Sequence, residues 1–252
     1  MVKLLLFIIY LPFVATTSGQ GVAGRPVDGD MWYHTWSACW PRDARCVDVF
    51  KSDVMEHEWT NVGAMERTVA DCPSGYVMFG DEWELQGWPI ERQVAALHWF
   101  EQVVQATNQD CKIIFGGTLV SHPKFGVNGP GWVHRFFALY RQWYGEPGIV
   151  GVAFDTYYWA GYCQDCDFVR DTMDMVDAVH QECPGCEVWA REIGSLVSHD
   201  AAVEAMGMLP QVTPALDRWA WFLAEDDGQW PGLGLWEDGQ LTDLGRVYWG
   251  QR

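Results

Sequence analysis

Glu187-Val-Trp-Ala-Arg-Glu-Ile-Gly194 is an apolar run of strand length that carries a glutamate, Glu192, near its C-terminal end. The earlier run Tyr76-Val-Met-Phe-Gly-Asp-Glu-Trp-Glu-Leu85 follows the same pattern and delivers Glu82. Carboxylates are rarely buried and usually lie on solvated surfaces. Two strands that each deliver a glutamate at the end therefore predict a pair of carboxylates that point into one cleft.

Strand-like runs alternate with helical stretches along most of the chain. The clearest helix is Ile90–Thr107, which opens after Pro89 and places Val94, Leu97 and Phe100 on one face. Alternation of this kind implies a parallel sheet with right-handed crossovers. Eight predicted strands in 252 residues favour an α/β chain with a single domain, a (β/α)8 TIM barrel.

The order of the strands decides where the two glutamates fall in such a barrel. Strand four delivers Glu82 and strand seven delivers Glu192, at the strand ends where barrels carry their functional groups. An open doubly wound sheet is the alternative fold, but the sequence lacks the glycine-rich turn expected after its first strand. The eight predicted strands are Met31–Trp36, Cys46–Phe50, Val54–Glu58, Tyr76–Asp81, Lys112–Thr118, Ile149–Tyr157, Glu187–Glu192 and Arg218–Leu223.

The first 19 residues have the pattern of a secretory signal peptide. Lys3 precedes a short apolar run, and small residues follow it up to Gly19. The run is shorter than most membrane spans, and an uncleaved anchor is the alternative interpretation. Residues 20–252 are then expected to form one secreted, extracellular domain with no membrane attachment after signal cleavage. Within that domain, Gln20–Asp30 is expected to be an irregular lead-in.

The composition of the chain limits the kinds of molecule that it is expected to bind. The formal net charge is −18, so a nucleic-acid partner is not expected, because no basic surface would offset phosphate charge. The sixteen tryptophans are an unusual excess. Flat aromatic faces stack on the C–H faces of sugar rings, although packing in the core is expected to account for more than half of them. We expect a monomer that uses no cofactor and no metal.

The eight cysteines allow a metal or a disulfide interpretation. Cys163-x2-Cys166 and Cys183-x2-Cys186 have zinc-ribbon spacing, but the residues between them predict one helix that begins after Asp167 and separates the pairs by about 24 Å. An oxidising compartment favours disulfides instead. Neighbouring strands would bring Cys72 and Cys111 together. The predicted disulfides are Cys39–Cys46, Cys72–Cys111, Cys163–Cys166 and Cys183–Cys186.

Paired carboxylates are the groups that glycosidic bond cleavage needs. Several blocks of the chain resemble glycoside hydrolase family 128, the secreted glycosyl hydrolase catalytic-core proteins related to fungal alkali-sensitive-linkage cell-wall proteins, in the large clan A of retaining (β/α)8 enzymes. The blocks, in order, are Met31-Trp-Tyr-His-Thr-Trp36, Phe79-Gly-Asp-Glu-Trp-Glu-Leu85, Val188-Trp-Ala-Arg-Glu-Ile-Gly194, Asp217-Arg-Trp-Ala-Trp-Phe222 and Asp238-Gly-Gln-Leu-Thr-Asp-Leu-Gly-Arg-Val-Tyr248.

The resemblance implies a role for each carboxylate. It makes Glu82 the acid/base and Glu192 the nucleophile of a retaining endo-β-1,3-glucanase with a β-glucan polysaccharide as substrate. It also implies substrate-binding candidates, namely Trp36, Asp81, Trp83, Tyr157, Tyr158 and Trp221. One alternative is a weakly active or non-catalytic glucan-binding cell-wall protein, and another is a hydrolase of a different β-glycan such as mannan or xylan.

Three residues depart from the family pattern around the two glutamates. Asp81 replaces an asparagine, Trp83 replaces a proline, and Arg191 stands where a threonine usually precedes the nucleophile. An ionised Asp81 accepts hydrogen bonds but donates none, and its charge is expected to raise the pKa of Glu82. Glu84 is the alternative candidate for the role assigned to Glu82.

Overall fold

The computed structural model describes residues 20–23, 32–34, 45–50, 62–85, 87–122, 124, 126–163, 165–224 and 231–250. Twelve strands are found in these ranges: β1 Gln20–Ala23, β2 Trp32–His34, β3 Cys46–Phe50, β4 Tyr76–Phe79, β5 Lys112–Leu119, β6 Ser121–His122, β7 Val127–Asn128, β8 Gly151–Tyr157, β9 Glu187–Gly194, β10 Arg218–Trp221, β11 Trp236–Glu237 and β12 Gln240–Leu241. The helices are α1 Val62–Asp71, α2 Ile90–Thr107, α3 Gly129–Tyr144, α4 Phe168–Glu182, α5 His199–Val212 and α6 Asp243–Tyr248.

A single α/β domain is built on a curled parallel sheet of six strands. The strands β3, β4, β5, β8, β9 and β10 pair in that order, and each is followed along the chain by a described helix. The short strand β1 pairs with β10 and with β2, and β2 pairs with β3, so the hydrogen-bonded order closes. Segments that follow β1 and β2 lie outside the described residues, so the complete eightfold strand–helix repeat stays a prediction.

The buried apolar residues form two clusters, one inside the curled sheet and one between the sheet and the helices. The inner cluster takes residues only from the strands, among them Met78, Ile114, Ala153 and Trp189. The larger cluster joins the opposite strand faces to the helices. Alternation along each strand therefore decides which side chains point inward. On β8, Asp155 and Tyr157 follow the inward-facing Ala153 at a spacing of two.

The predicted strands compare closely with the structure, with one correction. The segment Gln20–Ala23, expected to be an irregular lead-in, forms β1. Its four residues are too few to show a strand pattern, and its pairing with β10 and β2 is a contact between distant parts of the chain. The predicted strand Val54–Glu58 lies outside the described residues, and β3 pairs directly with β4. Glu82 still follows the fourth strand in chain order around the sheet, and Glu192 lies near the C-terminal end of the seventh.

Three predicted disulfides are present. Cys72–Cys111 joins the ends of two connections that lead into the neighbouring strands β4 and β5, with 6.0 Å between the Cα atoms. Cys163–Cys166 and Cys183–Cys186 close small loops at opposite ends of α4, which begins after its N-cap Asp167 as predicted. Cys46 is disulfide-bonded, while its predicted partner Cys39 lies outside the described residues.

Loop length predicts unequal contributions from these disulfides to stability. Cys72–Cys111 spans 39 residues in sequence, and closing a loop of that length in the unfolded chain stabilises the native state by about 4 kcal/mol. Cys163–Cys166 spans three and contributes about 2 kcal/mol by the same chain-entropy relation. We expect Cys72→Ala/Cys111→Ala to lose about twice the free energy of unfolding lost by Cys163→Ala/Cys166→Ala in urea titrations. Equal losses would contradict this expectation.

No helix in the described part of the chain is long and apolar enough to cross a membrane.

Candidate active site

Glu82 is held at the C-terminal end of β4 by an unusual backbone. Its φ is 43°, in the left-handed region that residues other than glycine rarely adopt. Its N–H donates to the carbonyl oxygen of Gly117 at 2.5 Å, which ties the turn after β4 to the end of β5. Such strained residues cluster at functional sites because the surrounding structure must hold them there. The turn thus fixes Glu82 at the mouth of the sheet.

Glu192 reaches the same mouth through a bulge in β9. Phe154 pairs with Ala190, but the next residue, Asp155, pairs with Glu192, so Arg191 is the extra residue. A bulge re-aims side chains, and here it lets both Arg191 and Glu192 face the interior. Glu192 is only 4% exposed. The hydroxyl of Tyr157, at the end of β8, donates a hydrogen bond to Glu192 Oε2.

The surroundings of Glu82 favour its protonated form. Burial raises its pKa, the negative charge of Glu192 raises it further, and the charges of Asp81 and Glu84 add smaller effects that the Arg191 guanidinium opposes. The pKa of Glu82 rises to about 8. The predicted effect of Asp81 on Glu82 is confirmed in direction, although burial and Glu192 contribute more. At neutral pH Glu82 therefore carries a proton that it can donate.

Arg191 lies beneath the two glutamates and is fully buried. Its guanidinium makes a bidentate ion pair with Asp155 on β8, through Nε at 3.0 Å from Oδ1 and through Nη2 to Oδ2. Nη1 lies 2.6 Å from Asp81 Oδ1, and Nη2 lies 3.7 Å from Glu192 Oε1. One buried cation thus contacts three carboxylates.

Two adjacent glycines allow close approaches here, one by this guanidinium and one by the main chain of β8. A Cβ atom at Gly117 would lie 2.9 Å from Arg191 Nη1, and φ is 89° at that residue. Gly116 has φ 150°, and a Cβ atom there would collide with the main chain of β8 at Ala153. The strand β5 is also bulged at this point, between Gly116 and Thr118. Side chains at these positions would displace Arg191 or separate the strands.

Glu84 is engaged elsewhere, although it lies only two residues from Glu82. Its Oε1 accepts hydrogen bonds from the Thr118 hydroxyl at 2.9 Å and from the Leu119 N–H. Burial raises its pKa, and these bonds oppose the shift. Glu84 therefore fastens the turn after β4 to β5, which is a structural role.

The aromatic candidates for substrate binding lie in different environments. Tyr157 contacts Glu192, whereas Tyr158 packs on Phe168 and bonds to Glu204 on the helical side. Trp83 is 2% exposed and stacks on Trp88 in the outer core.

Trp221 is 1% exposed, but its ring lies beside Gly194, two residues beyond the nucleophile candidate. Its indole N–H donates to the Leu233 carbonyl. Trp36 lies outside the described residues.

Asp155 is the site residue that the sequence analysis did not select. A signal was available, because an aspartate in the middle of the apolar run Ile149–Tyr157 is unusual in a strand covered on both faces. It also precedes Tyr157 by two residues, and alternation places the two on one face. For Arg191 the sequence gives no direction, because the bulge that turns it inward is a property of strand pairing.

A curled parallel α/β sheet with a protonated and a second carboxyl at its strand ends is the arrangement of a glycoside hydrolase. The model of the family described as glycosyl hydrolase catalytic core matches residues 26–248, and the chain belongs to that family. No curated protein matches the sequence.

Solved structures with the same fold are β-1,3-glucanases of glycoside hydrolase family 128. A curdlan-specific exo-β-1,3-glucanase from Blastomyces gilchristii, in complex with glucose, has a TM-score of 0.68 at 19% identity, with 92% of this chain and 97% of that chain covered. An endo-β-1,3-glucanase from Pseudomonas viridiflava has 0.64 at 19%, with 91% and 96% covered. One from Amycolatopsis mediterranei, in complex with laminaritriose, has 0.58 at 16%, with 93% and 100% covered.

Proposed function

We propose that the protein is a secreted retaining glycoside hydrolase that cleaves β-1,3-glucan chains internally. The observation that carries the proposal is the contrast between the two strand-end glutamates. Glu82 holds its proton up to about pH 8, whereas Glu192 accepts a hydrogen bond from Tyr157 and lies beside the Arg191 cation. This is the division of charge that double displacement requires.

In the proposed reaction, Glu192 attacks the anomeric carbon while Glu82 donates its proton to the departing glycosidic oxygen. The bond to the leaving sugar breaks, and a glycosyl ester forms on Glu192. Glu82, now ionised, removes a proton from water as that water attacks the anomeric carbon. The sugar leaves with its original anomeric configuration, and both carboxyl groups return to their starting states.

Four further properties belong to the proposal. The complete (β/α)8 barrel is supported by the closed order of the strands and by the fold of the family 128 structures. Secretion through the leader Met1–Gly19 is supported by the disulfides, which persist in oxidising compartments. Trp221 is proposed as the sugar platform beside Glu192. A monomer without cofactor or metal completes the proposal.

Substrate and mode of action are tested with a polysaccharide panel. Curdlan and laminarin are incubated with the full chain beside mannan and xylan, and the products are followed by chromatography. We expect β-1,3-oligosaccharides of several lengths early in the reaction, with retained configuration by proton NMR. Early release of glucose alone would assign exo action, and cleavage of mannan or xylan instead would change the substrate. Binding of glucan without cleavage would reject the enzyme.

The pH profile of kcat/KM tests the proton on Glu82. The carboxyl must be protonated to act as an acid, and its pKa is raised to about 8, so the active form persists below that pH and disappears above it. We expect the alkaline limb near pH 8, measured on laminarin with thermal unfolding recorded at each pH as a control. An alkaline limb below about pH 6 would show that Glu82 is not held protonated by burial, because an unperturbed glutamate titrates near 4.3.

A further inference from the structure

The two departures from the family pattern that carry charge, Asp81 and Arg191, are in direct contact. Nη1 of Arg191 lies 2.6 Å from Asp81 Oδ1. The two residues are far apart in sequence, because Asp81 lies in the turn after β4 and Arg191 lies in β9. Asp81 without Arg191 would lose the cation that contacts it in a buried site, and Arg191 without Asp81 would keep only part of its neutralising carboxylates, which is unfavourable. Together with Asp155 they form one buried ion cluster. The charges at positions 81 and 191 therefore depend on each other.

The surroundings of Arg191 exclude a direct role in binding sugar. The residue is 0% exposed, and its nitrogens face Asp155, Asp81 and the Gly80 carbonyl. Because these protein acceptors surround the guanidinium, no exposed donor edge is directed to a ligand. Glu192 is another of its described neighbours, with Oε1 3.7 Å from Nη2. Arg191 therefore acts on the reaction through Glu192 and not through substrate.

We propose that Arg191 is the positioning residue of the carboxylate pair: clamped between Asp81 and Asp155, it holds a positive charge against Glu192 and so separates the role of the nucleophile from that of the acid Glu82. The proposal rests on the proposed function and deepens it. The bulge at Arg191 and the glycine at position 117 are explained by the same role, because the bulge turns the guanidinium inward and Gly117 leaves room for it.

The charge balance of the cluster shows why one cation decides the outcome. Four carboxyls, those of Asp81, Glu82, Asp155 and Glu192, share the site, and Arg191 contacts all of them except Glu82. From β8, Asp155 and the neutral Tyr157 face Glu192, and from the turn after β4 Glu82 faces it, with Asp81 beside Glu82. Described residues of β10 near Glu192 carry no charge. Removal of the guanidinium would take away the positive charge that contacts Asp81, Asp155 and Glu192, and a carboxyl without a neighbouring opposite charge favours its protonated form.

The pH profile of variants tests this proposal on the full chain. With Arg191→Met, we expect the acid limb of kcat/KM on laminarin to move up by at least one pH unit, which is a tenfold loss on that limb. Arg191→Lys retains the charge, and its acid limb is expected to stay near the wild-type position even if the rate falls. A purely structural arginine would lower activity equally at all pH values in both variants, and that result would overturn the proposal.

Asp81→Asn provides a second test if Arg191→Met does not fold. Asparagine has the size of aspartate but carries no charge, so the substitution removes one negative charge beside Glu82. We therefore expect the alkaline limb of the kcat/KM profile to move to lower pH. A kcat/KM profile of Asp81→Asn whose limbs stay at the wild-type pH values would contradict the proposal.

A stability cycle separates failure of this inference from failure of the proposed function. Asp81→Asn is expected to lower the midpoint of thermal unfolding of wild type, because it removes a partner of the buried Arg191. In the Arg191→Met background, Asp81→Asn removes an uncompensated carboxylate and is expected to raise that midpoint. The same sign in wild type and in Arg191→Met would show that positions 81 and 191 are not coupled, whatever the activity.

Discussion

Glu192→Gln is expected to lower kcat on laminarin by about 10³-fold or more while the protein stays folded and still binds glucan. The amide has nearly the shape of the carboxylate but cannot form the glycosyl ester. Glu192 is buried beside Arg191 and Tyr157, so no solvent nucleophile replaces it at that position. Reducing-sugar release measures the rate, and thermal unfolding measures the fold.

Glu187→Gln is the matched control, because Glu187 begins the same strand and is also hydrogen-bonded. Its Oε1 accepts from the Tyr76 hydroxyl at 3.0 Å, and its Oε2 accepts from the Trp189 indole at 2.8 Å. It lies at the opposite end of β9 from Glu192. We expect activity to remain within about tenfold of wild type. If Glu187→Gln and Glu192→Gln lost activity equally, the effect would be on the strand and not on a nucleophile.

Glu82→Gln is expected to slow hydrolysis of natural glucan by about 10²–10⁴-fold, the usual contribution of a general acid. The loss should depend on the leaving group. An aryl β-glucoside such as the 2,4-dinitrophenyl derivative departs without a proton, so the first step should stay fast and release dinitrophenol in a burst. The second step should be slow, because Glu82 no longer activates water, and added azide should restore turnover.

Glu84→Gln tests the neighbouring carboxyl that was the alternative acid. The remaining amide oxygen can still accept from Thr118 and Leu119, so the turn should keep its anchor on β5. We expect no dependence on the leaving group and no rescue by azide. The reverse outcome, with these signatures in Glu84→Gln and not in Glu82→Gln, would assign the acid to Glu84.

Much of the fold is readable along the chain because its elements are long and periodic. The helix Ile90–Thr107 is predicted with its exact bounds, since its apolar face repeats over several turns. The strand β1 is not predicted, because four residues carry no period and their pairing partners are far away in sequence. The disulfide Cys72–Cys111 is predicted because it follows from the adjacency of two strands.

The sequence predicts the site only in part, because the direction and the partners of a side chain depend on the tertiary structure. Glu82 and Glu192 stand out because a charge at the end of an apolar strand is rare. Trp83 follows the same strand end as Glu82, yet it packs in the outer core, since its direction depends on the turn after β4. Asp155 stands out as an aspartate in an apolar run, but its role depends on Arg191, the cation that faces it in the structure.

By itself, the sequence determined the class of fold and the two strand-end glutamates, because hydrophobic period and strand order are local properties of the chain. Only the tertiary structure decided how the pair is charged. A one-residue bulge in β9 turns Arg191 inward, and Gly117 on β5 makes room for it. Burial raises the pKa of Glu82, and in our proposal the contacts of Arg191 with Asp81, Asp155 and Glu192 separate the acid from the nucleophile, because charge interactions depend on distances through space.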